Sequence, residues 1–141
     1  MSDTMTASNA TTVQAIYEAF GRGDIPAILQ RLAVDVRWER WPDGNGAQDA
    51  GVPWMVERNG RDEVAGFFAG LADFEFHHFE PVAVLEGDGR VAALIDIEAT
   101  VRATGKRLHD HEIHLWEFDE QGLVVSLRHY IDTAKHVAAA A

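Results

Sequence analysis

The sequence of 141 residues contains no cysteine, and no apolar run in it approaches the length that crosses a lipid bilayer. The missing cysteines exclude a disulfide framework, a thiolate nucleophile and a zinc site built on sulfur, and they suit a reducing cytoplasm. The N-terminal stretch has neither the basic start nor the apolar run of a signal peptide. We therefore expect a cytoplasmic protein that does not act at a membrane.

Basic residues are scarce as well. The chain has 12 Lys and Arg against 23 Asp and Glu, which gives a formal net charge of -11. A surface this acidic repels phosphate backbones and anionic lipids, so we expect no nucleic-acid partner and no membrane partner. The sequence also lacks a nucleotide-binding fingerprint, and we expect no cofactor.

The composition that is present is that of an ordinary globular protein, with 47% hydrophobic and 9% aromatic residues. The length fits one domain with one core, and neither an internal repeat nor a linker divides it. We predict a single domain over residues 9–135, preceded by a disordered polar tail at 1–8. A flexible tail is predicted at 136–141, where the closing run of alanines indicates a frayed end.

The spacing of apolar residues differs between the first and second halves of the chain. Up to residue 73 the apolar residues recur at helical spacing, and Asp24 is placed to cap a helix that tolerates Pro26 in its first turn. Beyond residue 73 the period is two, with glycine-containing turns between the segments. Helices followed by hairpins indicate an α+β fold with a mainly antiparallel sheet. The predicted elements are helices around 13–20, 25–32 and 64–71, a strand over 34–41, a long loop over 42–59, and strands over 74–86, 90–102, 107–118 and 122–132.

Strand alternation predicts which side chains face the core. In the strand over 90–102 the odd positions form an apolar face, and directly opposed residues of neighbouring strands share a face. A two-residue turn at 104–105 would place Ile97 opposite Glu112 and Ile95 opposite His114. Both polar side chains are therefore predicted to point inward.

The same count continues into the last strand. A four-residue loop at 119–122 places Glu112 opposite His129 and His114 opposite Leu127. The apolar alternation of the last strand puts His129 on the inner face independently of that count. A one-residue error in either turn would move the side chains of residues 107–118 to the other face.

The inward-facing polar residues Glu112, His114 and His129 form the candidate catalytic group. A carboxylate beside an imidazole orients the ring and stabilises its charged form, which produces a general base near neutral pH. We predict His129 as the base, Glu112 as its partner, and His114 or Arg40 as a donor to a developing oxyanion. The alternative is a structural Glu–His hydrogen bond that closes the sheet. The residues predicted to line the pocket and bind a ligand are Tyr17, Trp38, Arg40, Phe67, Ile95, Ile97, Trp116 and Leu127.

Three histidines follow the spacing H-x-H-x-x-H, which raises the question of a metal site. His109 and His111 share one face of their strand, whereas His114 lies on the other face. The three imidazoles therefore do not converge on one ion. We predict no metal site.

Four segments of the chain resemble the SnoaL-like proteins of the NTF2-like superfamily, which are related to ketosteroid isomerases. The segments are VQAIYEAFGRGDIPAILQRLAVDVRWE at 13–39, NGRDEVAGFF at 59–68, HDHEIHLWEFDEQG at 109–122 and SLRHYIDT at 126–133. The resemblance implies a cone in which three N-terminal helices pack on a strongly curved sheet around an apolar pocket. It also implies a homodimer formed through the outer sheet face.

The catalytic residues known in the superfamily match this chain incompletely. The positions that match the Tyr and the two Asp of ketosteroid isomerases are Ile16, Arg40 and His114, with Tyr17 one residue away from the first. The acid–base Asp of the polyketide cyclases falls on His129. The resemblance therefore predicts a protein that binds a small apolar carbonyl compound, with acid–base isomerisation, cyclisation or dehydration as its reaction. A non-catalytic ligand-binding protein or a structural dimer is the alternative.

Overall fold

The computed structural model describes residues 8–141, so the predicted N-terminal tail lies outside the described residues except for Ser8. Single 3₁₀ turns occur at Pro53–Met55 and Leu71–Asp73. The helices and strands of this part of the chain are α1 (Asn9–Gly21), α2 (Ile25–Leu29), β1 (Leu32–Trp38), α3 (Gly46–Asp49), β2 (Arg58–Asn59), α4 (Arg61–Gly70), β3 (Phe74–Gly87), β4 (Arg90–Val101), β5 (Lys106–Phe118), β6 (Val124–Tyr130) and α5 (Thr133–Ala140).

The first two helices begin at side-chain caps that the sequence displays. The Ser8 hydroxyl accepts a hydrogen bond from the Thr11 amide at the start of α1. The Asp24 carboxylate accepts one from the Ala27 amide at the start of α2, and Pro26 occupies the first turn of that helix. Each cap satisfies an amide that the helix itself leaves without a partner. The predicted cap at Asp24 is confirmed.

The six strands form one curled sheet that does not close into a barrel, in the order β2–β1–β6–β5–β4–β3. β1 runs parallel to β6, and the other neighbours are antiparallel. Every odd residue of β4 from Val91 to Val101 is buried, and this inner face packs against the helices. The predicted α+β class and the apolar inner face are both confirmed. No helix among residues 8–141 is long and apolar enough to cross a membrane.

The two hairpins that flank β5 differ from the predicted pairing by two residues each. Glu112 lies opposite Ile95, and not Ile97, because the first turn contains four residues. His129 lies opposite His114, and not Glu112. Since side chains alternate with a period of two, a shift of two residues exchanges partners but keeps every side chain on its predicted face.

The C-terminal residues are helical where a flexible tail at 136–141 was predicted. The carboxylate of Asp132 accepts a hydrogen bond from the Lys135 amide and starts α5. Alanine favours a helix, and this helix buries His136 and Ala139. The predicted domain end at residue 135 is therefore wrong, because α5 packs on β5 and closes one end of the inner face.

Candidate active site

A cavity of about 90 Å³ lies between α1, α4 and the inner face of the sheet. Its volume is smaller than the roughly 150 Å³ cavity that accepts benzene in an engineered core, so it suits a compact ligand. Apolar rings make up most of the wall, and four polar side chains, Glu112, His114, His129 and His136, interrupt it. The aromatic lining consists of Tyr17, Phe20, Trp38, Trp54, Phe67, Phe68, Phe74, Phe76, Phe79 and Trp116.

Most of the residues predicted to line the pocket do line this cavity. Two do not: Ile95 is packed in the hydrophobic core behind the wall, and Arg40 is exposed on the outside of the molecule. The predicted lining residues that contact the cavity are Tyr17, Trp38, Phe67, Ile97, Trp116 and Leu127.

The misplaced Arg40 follows from a single backbone feature. β1 ends at Trp38, and Glu39 has a φ of 60°, in the left-handed region that non-glycine residues rarely adopt. The twist breaks the alternation, so Trp38 and Glu39 are both buried and Arg40 is turned to solvent. Strand periodicity treats Glu39 as an outward position, and no signal in the sequence identifies it as a member of the site.

Glu39 is the partner of His129. Its carboxylate hydrogen-bonds to His129 Nδ1 and also accepts bonds from the His129 amide (3.1 Å) and from Trp41 Nε1 (3.2 Å). One carboxylate oxygen therefore holds the imidazole, and the other holds the backbone of His129 and the indole of Trp41. Within residues 8–141 the other ring nitrogen, Nε2, has no hydrogen-bond partner, and the ring lines the cavity.

Glu112 pairs with His114 instead. Glu112 Oε1 lies 2.9 Å from His114 Nε2, and His114 Nδ1 lies 2.8 Å from Tyr17 Oη. Trp116 Nε1 donates to the same hydroxyl over 3.1 Å. With His114 neutral, Tyr17 donates to Nδ1 and the ring donates from Nε2 to Glu112. The polar atoms of Tyr17, His114 and Trp116 therefore all have a hydrogen-bond partner.

The fourth polar side chain of the wall, His136, comes from α5. Trp54 Nε1 donates to its Nδ1 over 2.9 Å, so the ring proton is on Nε2. That Nε2 lies 2.9 Å from Asp110 Oδ2 and 3.1 Å from Glu112 Oε2. His136 therefore supports Glu112 from the side opposite His114. Strand alternation does not reveal His136, because this residue lies beyond the sheet. The capping position of Asp132 is the signal in the sequence that extends the domain to include it.

The rings of His114 and His129 are nearly perpendicular, with centroids 4.3 Å apart. Burial lowers the pKa of His114, and the positive charge of His129 lowers it further, against the effect of Glu112. Burial would also lower the pKa of His129, but the charge and the hydrogen bond of Glu39 outweigh it and raise that pKa. Between them the two rings therefore bind one titratable proton, and His129 carries it, because two charged rings at this distance repel each other.

Glu112 and Tyr17, which also line the wall, have displaced pKa values as well. Burial would raise the pKa of Glu112, but hydrogen bonds from His114 and His136 outweigh it and hold that pKa well below its usual range. Burial raises the pKa of Tyr17 far above its usual value, against the hydrogen bond from Trp116. Glu112 is therefore a carboxylate near neutral pH, and Tyr17 is a hydroxyl that can donate.

Comparison with known proteins identifies the family. The family model described as a SnoaL-like domain matches residues 13–127. The chain belongs to the SnoaL-like family. No curated protein matches it.

Solved structures agree with the SnoaL-like assignment. An NTF2-like protein of unknown function from Burkholderia pseudomallei K96243 shares 31% identity over 95% of this chain and 98% of its own, with a TM-score of 0.77. An NTF2-like protein from Burkholderia thailandensis E264 shares 22% identity over 95% and 98%, with a TM-score of 0.79. A putative polyketide cyclase from Pseudomonas putida KT2440 shares 18% identity over 96% and 100%, with a TM-score of 0.75. The last two show that the fold is shared.

In the part of the SnoaL-like chain that the structure describes, two groups of side chains have potential metal ligands within 4.8 Å of one another. One is the buried group of Asp110, Glu112 and His136. A metal on His136 Nε2 would require the ring proton to move to Nδ1, where it would face the N–H of Trp54. The buried group therefore fits a closed hydrogen-bond network better than a metal ion.

The second group, Asp96, His109 and His111, lies on the outer face of the sheet, away from the cavity. As predicted from alternation, His109 and His111 face away from His114. On the same outer face, Ile113 and Tyr130 lie opposite each other and are 42% and 41% exposed. A homodimer through this face stays a prediction.

Proposed function

We propose that the protein catalyses proton transfer next to the carbonyl group of a small, apolar compound, as in isomerisation, cyclisation or dehydration. One observation carries the proposal. Among residues 8–141, His129 Nε2 has no partner and faces an aromatic cavity, while a buried carboxylate holds Nδ1. This arrangement is that of a general base with an orienting partner.

The partnership of His129 with Glu39 supports its role as the base. Glu39 fixes the tautomer with the proton on Nδ1 and stabilises the imidazolium that forms when Nε2 accepts a proton. Because Glu39 raises the pKa of His129, the neutral, active form accumulates only as the pH rises through that raised pKa. The proposed activity should accordingly increase as the pH rises above about 6.5, the pKa of an unperturbed histidine.

The oxygen on which negative charge develops needs a hydrogen-bond donor in the cavity wall. Tyr17 keeps its proton because burial raises its pKa, but its hydroxyl already donates that proton to His114. Among the described residues, the indole Nε1 of Trp38 is buried without a hydrogen-bond partner, and Trp38 also lines the cavity. An unsatisfied buried donor costs about 1–3 kcal/mol, which a ligand oxygen would recover. Donors of this kind stabilise an oxyanion.

His114 supports the cavity wall in this proposal. Both of its ring nitrogens are engaged, one with the Tyr17 hydroxyl and the other with Glu112. It therefore accepts the hydrogen bond of the Tyr17 hydroxyl, holds that side chain in the wall, and is not itself a donor to the oxyanion. The predicted pairing of His129 with Glu112 is replaced by two parallel pairs, His129 with Glu39 and His114 with Glu112.

The proposal is tested by hydrogen exchange at carbon. The protein is incubated in D₂O with a panel of small ketones of increasing size, and deuterium incorporation next to the carbonyl is followed by NMR. Exchange above the buffer rate is expected for at least one compound, and His129→Gln should reduce it by about 10²–10⁴-fold, the usual contribution of a general base.

The matched control is His109→Gln, which removes an exposed imidazole on the outer sheet face and should leave exchange unchanged. Binding of the same ketones is measured in parallel by tryptophan fluorescence. Saturable binding without exchange in the unaltered protein would reject catalysis and favour a ligand-binding protein. Equal exchange in the unaltered protein and His129→Gln would reject His129 as the base.

A further inference from the structure

A cluster of imidazoles surrounds one carboxylate on the outer face of the sheet. Asp96 on β4 lies directly opposite His111 on β5, and His109 is two residues before His111 on the same face. Asp96 Oδ1 is 3.2 Å from His109 Nε2 and 3.6 Å from His111 Nδ1. Two ring nitrogens therefore converge on a single carboxylate oxygen.

These separations match the distances between neighbouring ligand atoms around a bound metal ion. Zinc binds imidazole nitrogen and carboxylate oxygen at about 2.0–2.2 Å, so neighbouring ligand atoms of a tetrahedral site lie about 3.3–3.5 Å apart. The two measured distances bracket that value, and all three ligand atoms lie within 4.8 Å of one another. An ion that contacts all three needs only small rotations of exposed side chains.

Neighbouring groups hold the carboxylate in place. His78 on β3 lies 3.6 Å from the other oxygen of Asp96 and 3.4 Å from Glu80 Oε1, so an imidazole flanks the carboxylate on the side away from His109 and His111. Glu98, the adjacent acidic residue on the same face, is already paired with Arg107 and does not compete. Partners of this kind orient metal ligands and strengthen binding.

We propose that Asp96, His109 and His111 form a surface site for one divalent transition-metal ion of the zinc type. Two imidazoles and a carboxylate are ligands that zinc accepts, and water completes the coordination. The ligands come from paired strands of one sheet, which keeps their backbone positions fixed. The site is separate from the proposed active site and does not depend on the proposed function.

Calorimetric titration of the chelator-treated full chain with ZnCl₂ tests the proposal. We expect one ion per chain with micromolar affinity, and a rise in Tm when Zn²⁺ is in excess, because an ion that binds only the folded chain stabilises it. The double variant His109→Gln/His111→Gln should lose both the binding isotherm and the rise in Tm. His78→Gln should weaken binding by about tenfold, as loss of an orienting partner does.

His77→Gln is the matched control, since His77 is an exposed histidine of β3 that hydrogen-bonds Thr100 and is no ligand. It should bind Zn²⁺ as the unaltered chain does. Undiminished binding in the double variant overturns the proposal, and so does equal loss in the His77 control. A stoichiometry of one ion per two chains would also overturn it, because the three ligands are proposed to suffice within one chain.

Discussion

At the scale of single residues, Glu39 decides the chemistry of the cavity. A left-handed backbone costs a non-glycine residue about 1–2 kcal/mol, and Glu39 adopts it at the end of β1. Its buried carboxylate makes three hydrogen bonds, two of them to His129. These contacts offset the cost of the backbone conformation and set the protonation state of the neighbouring ring.

The first prediction concerns this pair. Glu39→Gln should lower the pKa of His129, because the charge that raises it is removed while the burial that lowers it remains. Titration of the histidine ring signals by NMR measures the change. The exposed Glu57→Gln is the control and should leave the pKa of His129 unaltered. An unchanged pKa in Glu39→Gln would show that Glu39 does not control His129.

At the scale of elements, α5 is part of the site. His136 reaches Asp110 and Glu112 on β5 and accepts a hydrogen bond from Trp54. It therefore ties the end of the chain to the strand that carries both Glu112 and His114. A cavity wall built from the sheet and the N-terminal helices alone would lack this support.

The second prediction follows from this contact. His136→Ala should lower the free energy of unfolding by about 3 kcal/mol, because it removes a buried ring and the donor to Glu112 Oε2. Urea denaturation measures the loss. Lys135→Ala, on an exposed position of the same helix, should change stability by no more than about 0.5 kcal/mol. Equal losses in both variants would indicate that the contacts of His136 do not contribute to stability beyond the formation of α5.

The hairpins show which features of a sheet the alternation of apolar residues predicts and which it does not. The sequence predicted the bounds of β3, β4 and β5 to within one residue and placed Glu112, His114 and His129 on the inner face. It missed the cross-strand partners by two residues because turn lengths are not visible in alternation. The predicted faces are nevertheless correct, because a register shift of two residues keeps each side chain on the same face of the sheet.

At the scale of the whole molecule, the histidine pair links stability to pH. The raised pKa of His129 stabilises the fold below the pKa of an unfolded histidine, about 6.5, and this effect is lost as the pH rises through the folded pKa. The lowered pKa of His114 acts oppositely, since stability falls as the pH drops below about 6.5 toward the folded pKa. The lowered pKa of Glu112 adds a further loss in acid, as the pH falls below about 4.3.

The third prediction is therefore that the contribution of the pair is greatest near pH 6.5. In the folded protein His114 and His129 together bind one titratable proton. In the unfolded chain the same two histidines bind two titratable protons in acid and none in alkali. A difference of one proton corresponds to a slope of about 1.4 kcal/mol per pH unit on either side.

Urea denaturation between pH 5.5 and about 8.5 measures this profile against that of His129→Gln, which removes the alkaline branch. Stability of this variant should no longer fall on the alkaline side of the maximum. An identical alkaline slope in both proteins would contradict a raised pKa at His129.

The sequence by itself determined the α+β class, the extents of the long strands and the inward direction of Glu112, His114 and His129. These properties follow from short-range periodicity and capping, which neighbouring residues display. Only the tertiary structure decided which carboxylate serves which histidine. Glu39 and His129 are 90 positions apart, and a local backbone twist that strand alternation does not encode brings them together. His136 reaches the site for a similar reason, because α5 folds back onto β5.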